Sequence, residues 1–291
     1  MTLLYQLING LQVGSIYALV ALGYSMVYGI IMLLNFAHGD IIMVGAYTAW
    51  FIITQMGLPP VAGILLAVVV CVLLGVIIEK VAYTPLRSSP RISLLITAIG
   101  VSMLLQNLAQ LVFGAGAQAF PTIVSIPNIT IGSMQVSFVA IITIFVSIIS
   151  MAVLTFLVQK TKMGKAMRAV SEDMGAAQLM GISVNRTISF TFALGSALAG
   201  IGAILYCCAY PQTSPTMGSM LGLKAFVAAV LGGIGSIPGA MVGGFVIGVA
   251  EAFVKAAGLS TWADGVVFAI LIVVLLVKPT GFLGRTMQEK V

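Results

Sequence analysis

Charge is what this chain mostly lacks. Only 7% of its 291 residues are Asp, Glu, Lys or Arg, against roughly 25% in a soluble globular protein. Its mean hydropathy is +1.18. No soluble core hides that much apolar side chain, so a water-soluble enzyme or binding module is excluded. Histidine is reduced to one residue, His38, which excludes the His-rich ligand sets of catalytic zinc. The three cysteines, Cys71, Cys207 and Cys208, sit inside apolar runs, a spacing that gives neither a disulfide framework nor a metal site. No phosphate-binding loop occurs: Gly164-Lys165 is followed by Ala166 and lacks the preceding glycine. Any ATPase that drives this protein is therefore a separate chain. Lys and Arg are missing before the first apolar run, and the first charge is Asp40. A cleavable signal peptide does not fit that pattern, and the first span reads as an uncleaved insertion signal. The alternation expected of a membrane β-barrel is also absent.

What remains is a succession of apolar runs, at about 3–33, 41–56, 61–78, 92–113, 136–158, 187–209, 222–235, 239–254 and 262–277. Several reach the ~20 residues that cross a ~30 Å hydrocarbon core. The expected fold is an all-α polytopic membrane protein with about eight or nine transmembrane helices, forming a single membrane domain over 1–291. The first run is longer than one span needs and contains Gly10, Gly14, Gly23 and Gly29, so it is expected to tilt, break or begin with an interfacial piece. Runs 222–235 and 239–254 are short and read as two thin spans or one re-entrant hairpin. Small-residue faces around Gly195–Ala203 and Gly232–Gly248 predict close helix packing. The stretches Asn35–Gly45 and Gly232–Gly243 are both polar or Gly-rich breaks before an apolar helix, a weak sign of duplicated halves.

The net charge of +6 does not indicate nucleic acid, because the basic residues lie in loops between spans. All charges but five fall in three zones, Glu79–Arg91, Lys160–Arg186 and Lys278–Lys290. The positive-inside rule makes these cytoplasmic, with a cytoplasmic C-terminus. The charge-free stretch 114–135 then reads as external, with Trp50 and Trp262 near the external interface. The other five charges are Asp40, Lys224, Glu251, Lys255 and Asp264. Membrane charges are costly and tend to be paired or functional. Lys224, Lys255 and Asp264 lie near span ends, and Glu251 is expected to pair with Lys255 one turn away. Residues set aside for a path or gate are Asn35, His38 and Asp40 at the first break, Gly232, Gly233 and Gly235 at the second, and Glu251.

The longest polar stretch, 160–186, holds a segment that reads as a short helix. Ser171 is a good N-cap, and Glu172 and Asp173 in the first turn suit the helix dipole. Gly181 is a natural stop. The expected helix runs over about nine residues, or ~13 Å. Met174 and Ala177 share one face, and Ala176 keeps the profile slim. So short a helix needs a surface to lie on, either its own bundle or another protein.

The chain resembles the permease subunits of bacterial ABC importers for branched-chain amino acids, the LivH type. The resemblance covers essentially the whole chain. It rests on Tyr28-Gly29-Ile30-Ile31, Asn35-Phe36-Ala37-His38-Gly39, Glu79-Lys80-Val81-Ala82-Tyr83, Glu172-Asp173, Gly181-Ile182, Lys224-Ala225-Phe226, Ala229 through Ala240, and Pro279-Thr280-Gly281. It implies a permease in the bacterial cytoplasmic membrane that carries branched-chain amino acids by alternating access and is not itself an enzyme. It further implies a second, LivM-type permease, two cytoplasmic ATPase subunits holding ATP-Mg, and a periplasmic or lipid-anchored binding protein. No cofactor or metal is implied on this chain. By position, Ser171, Glu172, Asp173, Met174, Ala176, Ala177 and Gly181 fall where such importers carry their ATPase-coupling helix, although Asp173-Met174-Gly175 departs from the usual Glu-Ala-Ala order. The competing expectation is an ion-coupled secondary transporter using Glu251 or Asp40. An intramembrane enzyme is disfavoured by the single His and the lack of clustered acids.

Overall fold

The computed structural model describes residues 2–32, 35–87, 89–124, 129–131 and 134–284. The predicted basic residues Arg285 and Lys290, and 125–128 and 132–133 of the predicted external stretch, lie outside the described residues.

Eleven α-helices are described. Five make an inner group: α1 (Thr2–Ile31), α2 (His38–Trp50), α8 (Val184–Ala209), α9 (Met217–Gly232) and α10 (Ile237–Ala256). Around them stand α3 (Pro60–Ile78), α4 (Arg91–Phe113), α5 (Phe138–Lys160) and α11 (Ala263–Val277). Over its most apolar stretch α1 is 89% buried, whereas α11 is 11% buried. The inner helices therefore carry the Gly, Ala, Ser and Thr that permit close contact, and the outer ones carry Leu, Ile and Val toward lipid, where burial brings no hydrophobic gain.

The first run does not break. α1 is one 30-residue helix, about 45 Å at 1.5 Å per residue, and its glycines serve packing instead. α10 runs antiparallel along it, so that Gly10 faces Val249, Gly14 faces Gly244 and Gly248, and Gly29 faces Gly235. A Cβ on Gly14 would come 2.8 Å from the Gly244 carbonyl oxygen, closer than any packed methyl tolerates. α1 ends at Met32, a non-glycine residue with φ 55°. This left-handed residue costs backbone energy and turns the chain back into the protein interior.

Among the described residues, seven helices have the length and apolarity to span a membrane. α9, with 16 residues, is shorter. α2 has 13 residues and is prolonged by a π-helical turn over Phe51–Gln55. The region 222–254, read as two thin spans or one re-entrant hairpin, is one short helix of 16 residues and one of 20 residues that is long enough to span, joined by a turn whose Gly233 and Gly235 have φ of 103° and 89°. Both breaks noted in the sequence are interruptions between helices. Pro60 and Pro90 mark starts: Pro60 is the first residue of α3 and Pro90 the N-cap of α4, places where a missing N–H costs nothing.

At one end of the bundle short strands tie the loops. β1 (Gln118–Ala119) pairs antiparallel with β4 (Gln212–Thr213), and β2 (Ile129–Ile131) pairs with β3 (Met134–Val136). Trp50 Nε1 donates to the Ala119 carbonyl at 3.1 Å, and Trp262 follows the end of α10 at this same end. The charged loops gather at the other end. Arg87 Nη1 donates to Asn185 Oδ1 at 2.7 Å, joining the loop after α3 to the start of α8.

Candidate functional site

At the charged end, Thr161 caps α6 (Lys162–Glu172) by accepting from the Gly164 N–H at 3.0 Å. Gly164, Met167 and Val170 face inward, and Lys162, Lys165, Arg168 and Glu172 face out, the i, i+3 stripe of an amphipathic helix. Arg168 also donates to the Val158 carbonyl, pinning α6 to the end of α5.

The next helix starts later than the capping pattern suggested. Ser171 is not its N-cap; its hydroxyl donates to the Arg168 carbonyl at 2.7 Å within α6. Glu172 is the last residue of α6, not the first turn of the following helix. The cap is Asp173, with extended backbone at φ −157°, whose Oδ1 accepts from the Ala176 N–H at 2.9 Å. The predicted helix of about nine residues is thus α7 (Met174–Leu179), with six, and α6 before it is a separate helix that the capping pattern did not indicate. The reason is backbone geometry: Ser171 still lies inside α6, and the chain leaves helical geometry only at Asp173, whose carboxylate is placed to accept an N–H of the new first turn. Gly181, with φ 82°, ends the element as expected. Ala177 is buried against the bundle, with Met174 beside it. Gly175 and Ala176 point outward, and Leu179 and Met180 at the tip are 91% and 82% exposed.

Between α7 and the loop after α3 lies a groove of about 340 Å³, lined by Arg87, Met174, Gln178, Ile182 and Asn185 among others. Behind it Glu79, 1% exposed, accepts from Thr84 Oγ1 at 2.7 Å, Arg87 Nη2 at 3.0 Å and Ser189 Oγ at 2.7 Å. Glu79 opens a π-helical turn, Glu79–Tyr83. Nothing in sequence spacing indicated this carboxylate as a junction, since its partner Ser189 is 110 residues away.

The residues set aside for a path do not form one group. Asn35, His38 and Asp40 are all buried near the start of α2. Asn35 Oδ1 accepts from the Tyr83 hydroxyl at 2.9 Å, and its Nδ2 has no partner among the described residues. The His38 ring stands edge-on to Tyr24 with centroids 4.7 Å apart, and its Nε2 likewise has no partner among the described residues. Gln106 donates to Asp40 Oδ1 at 2.9 Å. Gly39 lies against Gly218 and Gly222, so α2 and α9 start in contact. Gly232, Gly233 and Gly235 sit elsewhere, at the far end of α9. There the Phe282 and Leu283 N–H groups donate to the Leu231 and Gly232 carbonyls at 2.8 and 2.9 Å, and the Gly235 N–H donates to Ser25 Oγ at 3.0 Å.

Glu251 forms a third centre. It pairs with Lys255 at 2.6 Å, as the one-turn spacing predicted, and with Lys224 at 3.0 Å; the Tyr17 hydroxyl donates to it at 2.7 Å. Lys224 also meets Asp264 at 2.6 Å. Four of the five isolated charges are thus one neutral cluster joining α9, α10 and α11. Lys224, expected near a span end, is instead largely buried. Among the described residues there is no group of three or more His, Cys, Asp or Glu placed to hold a metal.

These features define a polytopic α-helical membrane protein with paired buried charges and a short surface helix at its charged end. The chain belongs to the branched-chain amino acid transport system permease component family, whose model matches residues 6–276. It is 45% identical to the high-affinity branched-chain amino acid transport system permease protein BraD of Pseudomonas aeruginosa, over 99% of this chain and 98% of that one. It is 43% identical to the corresponding LivH of Escherichia coli, over 99% and 97%. A probable branched-chain amino acid transport permease protein LivH of Methanocaldococcus jannaschii is 30% identical over 91% and 88%. Among solved structures, PsaBC from Streptococcus pneumoniae in complex with Fab shares the fold, with a TM-score of 0.50 at 15% identity over 95% of this chain and 91% of that one.

Proposed function

We propose that this chain is the permease subunit of an ATP-driven importer that carries branched-chain amino acids across the bacterial cytoplasmic membrane. The observation that carries the reading is the end-to-end match, at 43–45% identity, to permease proteins of branched-chain amino acid systems. The 160–186 loop and the C-terminus face the cytoplasm in this reading, and the strand-tied end faces outward. A second, LivM-type permease completes the pathway. Two ATPase subunits, which hold ATP-Mg, dock on α7 and the groove beside it. A binding protein delivers the amino acid to the outer loops.

The geometry supports the coupling assignment at the level of surface. α7 is anchored on one side by Ala177 and presents Gly175, Ala176, Leu179 and Met180 on the other. An ATPase groove closing on that small apolar knob would push directly on α6 and α8. An ion-coupled carrier using an acid of this chain would draw on Glu251 or Asp40, and here Glu251 already holds two ammonium groups while Asp40 is held by Gln106.

The test is reconstitution. The four-component system in proteoliposomes should take up leucine only with ATP and loaded binding protein. Uptake by this chain alone, driven by a proton or sodium gradient, would overturn the reading.

A further inference from the structure

Beneath the 210–216 segment lies a cavity of about 210 Å³. Pockets for drug-sized ligands run to ~300–1,000 Å³, so this one is scaled to something smaller. Its lining is divided by chemistry. Gln212, Ser214 and Thr216 bring neutral oxygens, Met220 and Leu221 bring aliphatic surface, and Lys224 brings a cation.

Lys224 is the key group. An ammonium has three N–H donors. Two are committed, to Glu251 Oε1 at 3.0 Å and Asp264 Oδ1 at 2.6 Å. Tyr17, whose hydroxyl holds Glu251, lies in the same wall with its ring centroid 5.8 Å from Nζ. Among the described residues no acceptor takes the third donor. Asp264 is half-exposed, with 49% of its side chain accessible, so solvent reaches the cluster from this side. Lys224 and Lys255 balance Glu251 and Asp264, and a zwitterion adds no net charge to that balance.

We propose that this cavity is an outer loading subsite for one free, leucine-sized amino acid. Its carboxylate sits on Lys224 Nζ, its ammonium on the Gln212–Thr216 oxygens, and its side chain on Met220 and Leu221. This inference rests on the transport reading and deepens it. A neighbouring cavity of about 270 Å³ meets the same charge cluster from the Glu251 side. Gln6, Asn9, Gln12, Glu251 and Lys255 line it, with Val13, Ala209, Tyr210 and Ala252 as its apolar surface, and its cation is Lys255, 43% exposed, where the first cavity has the buried Lys224.

The test uses the assembled transporter in proteoliposomes, measuring ATP-driven uptake of leucine and valine in competition. Lys224→Met should lower uptake of both at least about tenfold, the loss of one hydrogen bond to a charged group. Glu251 keeps Lys255 and Tyr17 in that variant, so no buried charge is stranded. Leu221→Phe should shift the preference toward valine by about tenfold, the scale of a methylene's discrimination, while Lys255→Met leaves the preference unchanged. If Lys224→Met fails to assemble, the Leu221→Phe selectivity decides alone. Wild-type uptake with the leucine-to-valine ratio unmoved by Leu221→Phe would overturn the subsite and leave the transport reading intact. Absence of ATP-driven uptake by the wild type would overturn both.

Discussion

Glu79 and Ser189, 110 residues apart in sequence, meet at 2.7 Å. The contact joins the end of α3 to the first turns of α8, and Arg87 extends it to Asn185. Since Arg87 and Asn185 also line the groove beside α7, the Glu79 carboxylate fixes the floor on which the surface helix works. Glu79→Ala removes the acceptor for three donors at once. It should cost roughly 1–3 kcal/mol, the range for orphaning buried polar partners. Thermal unfolding in detergent should show a lower midpoint, with Ser189→Ala producing a smaller shift because Thr84 and Arg87 keep their acceptor.

The cap on α7 separates the two readings of this loop. Asp173→Ala should cost about 1 kcal/mol of local stability. A helix of six residues has no reserve against that loss. Amide exchange at residues 176–181 should accelerate while the bundle melts unchanged, and ATP-driven uptake should fall. Asp173→Asn, which keeps the acceptor oxygen, should restore protection. Ser171→Ala should leave exchange at 176–181 as in the wild type.

Ala176 and Ala177 are neighbours with opposite tasks. Ala176→Arg adds a charge on the exposed side, so the subunit should fold and melt normally but lose ATP-dependent uptake. Ala177→Arg forces a guanidinium into a buried site and should detach α7, seen as protease cleavage between 173 and 182 in the isolated subunit. Equal protease resistance of the two variants would contradict the anchoring described for Ala177.

Two glycines offer an internal control for packing. Gly248→Ala places a methyl against the Gly14 backbone and should destabilise the subunit by about 1–3 kcal/mol, the usual cost of overpacking. Gly100→Ala, in α4, has nothing within 4 Å of the new methyl. It should be neutral or stabilising by up to about 1 kcal/mol, because glycine is the poorer helix former. Melting midpoints of the two variants in detergent check the pair.

Much of the fold was legible because the signals are local. Apolar run length located most of the spans, Pro60 and Pro90 fixed two starts, and Gly181 fixed a stop. The break after α1 was legible as Asn35–Asp40, but the fate of Gly10, Gly14 and Gly29 was not. Glycine spacing is the same for a helix that bends and for one that packs backbone to backbone, and only the presence of α10 alongside chose the second. The surface helix was placed within two residues, but its start was misassigned. Ser171 and Asp173 are both competent caps, and the choice depended on where α6 ends, at Glu172, which leaves Asp173 at the break.

The candidate sites divide in the same way. By itself the sequence determined the class of the protein, the clustering of charge and the Glu251–Lys255 pair, since each follows from composition or from a single helical turn. Only the tertiary structure decided that Glu79 is a buried junction, that Asn35, His38 and Asp40 stand apart from Gly232–Gly235, and that Lys224, Glu251, Lys255 and Asp264 form one neutral cluster beside a cavity. Those groupings join residues up to 234 positions apart, as Tyr17 and Glu251 are. In a membrane a buried charge must find its counter-charge wherever helix packing brings one, and no local pattern records which helix that is.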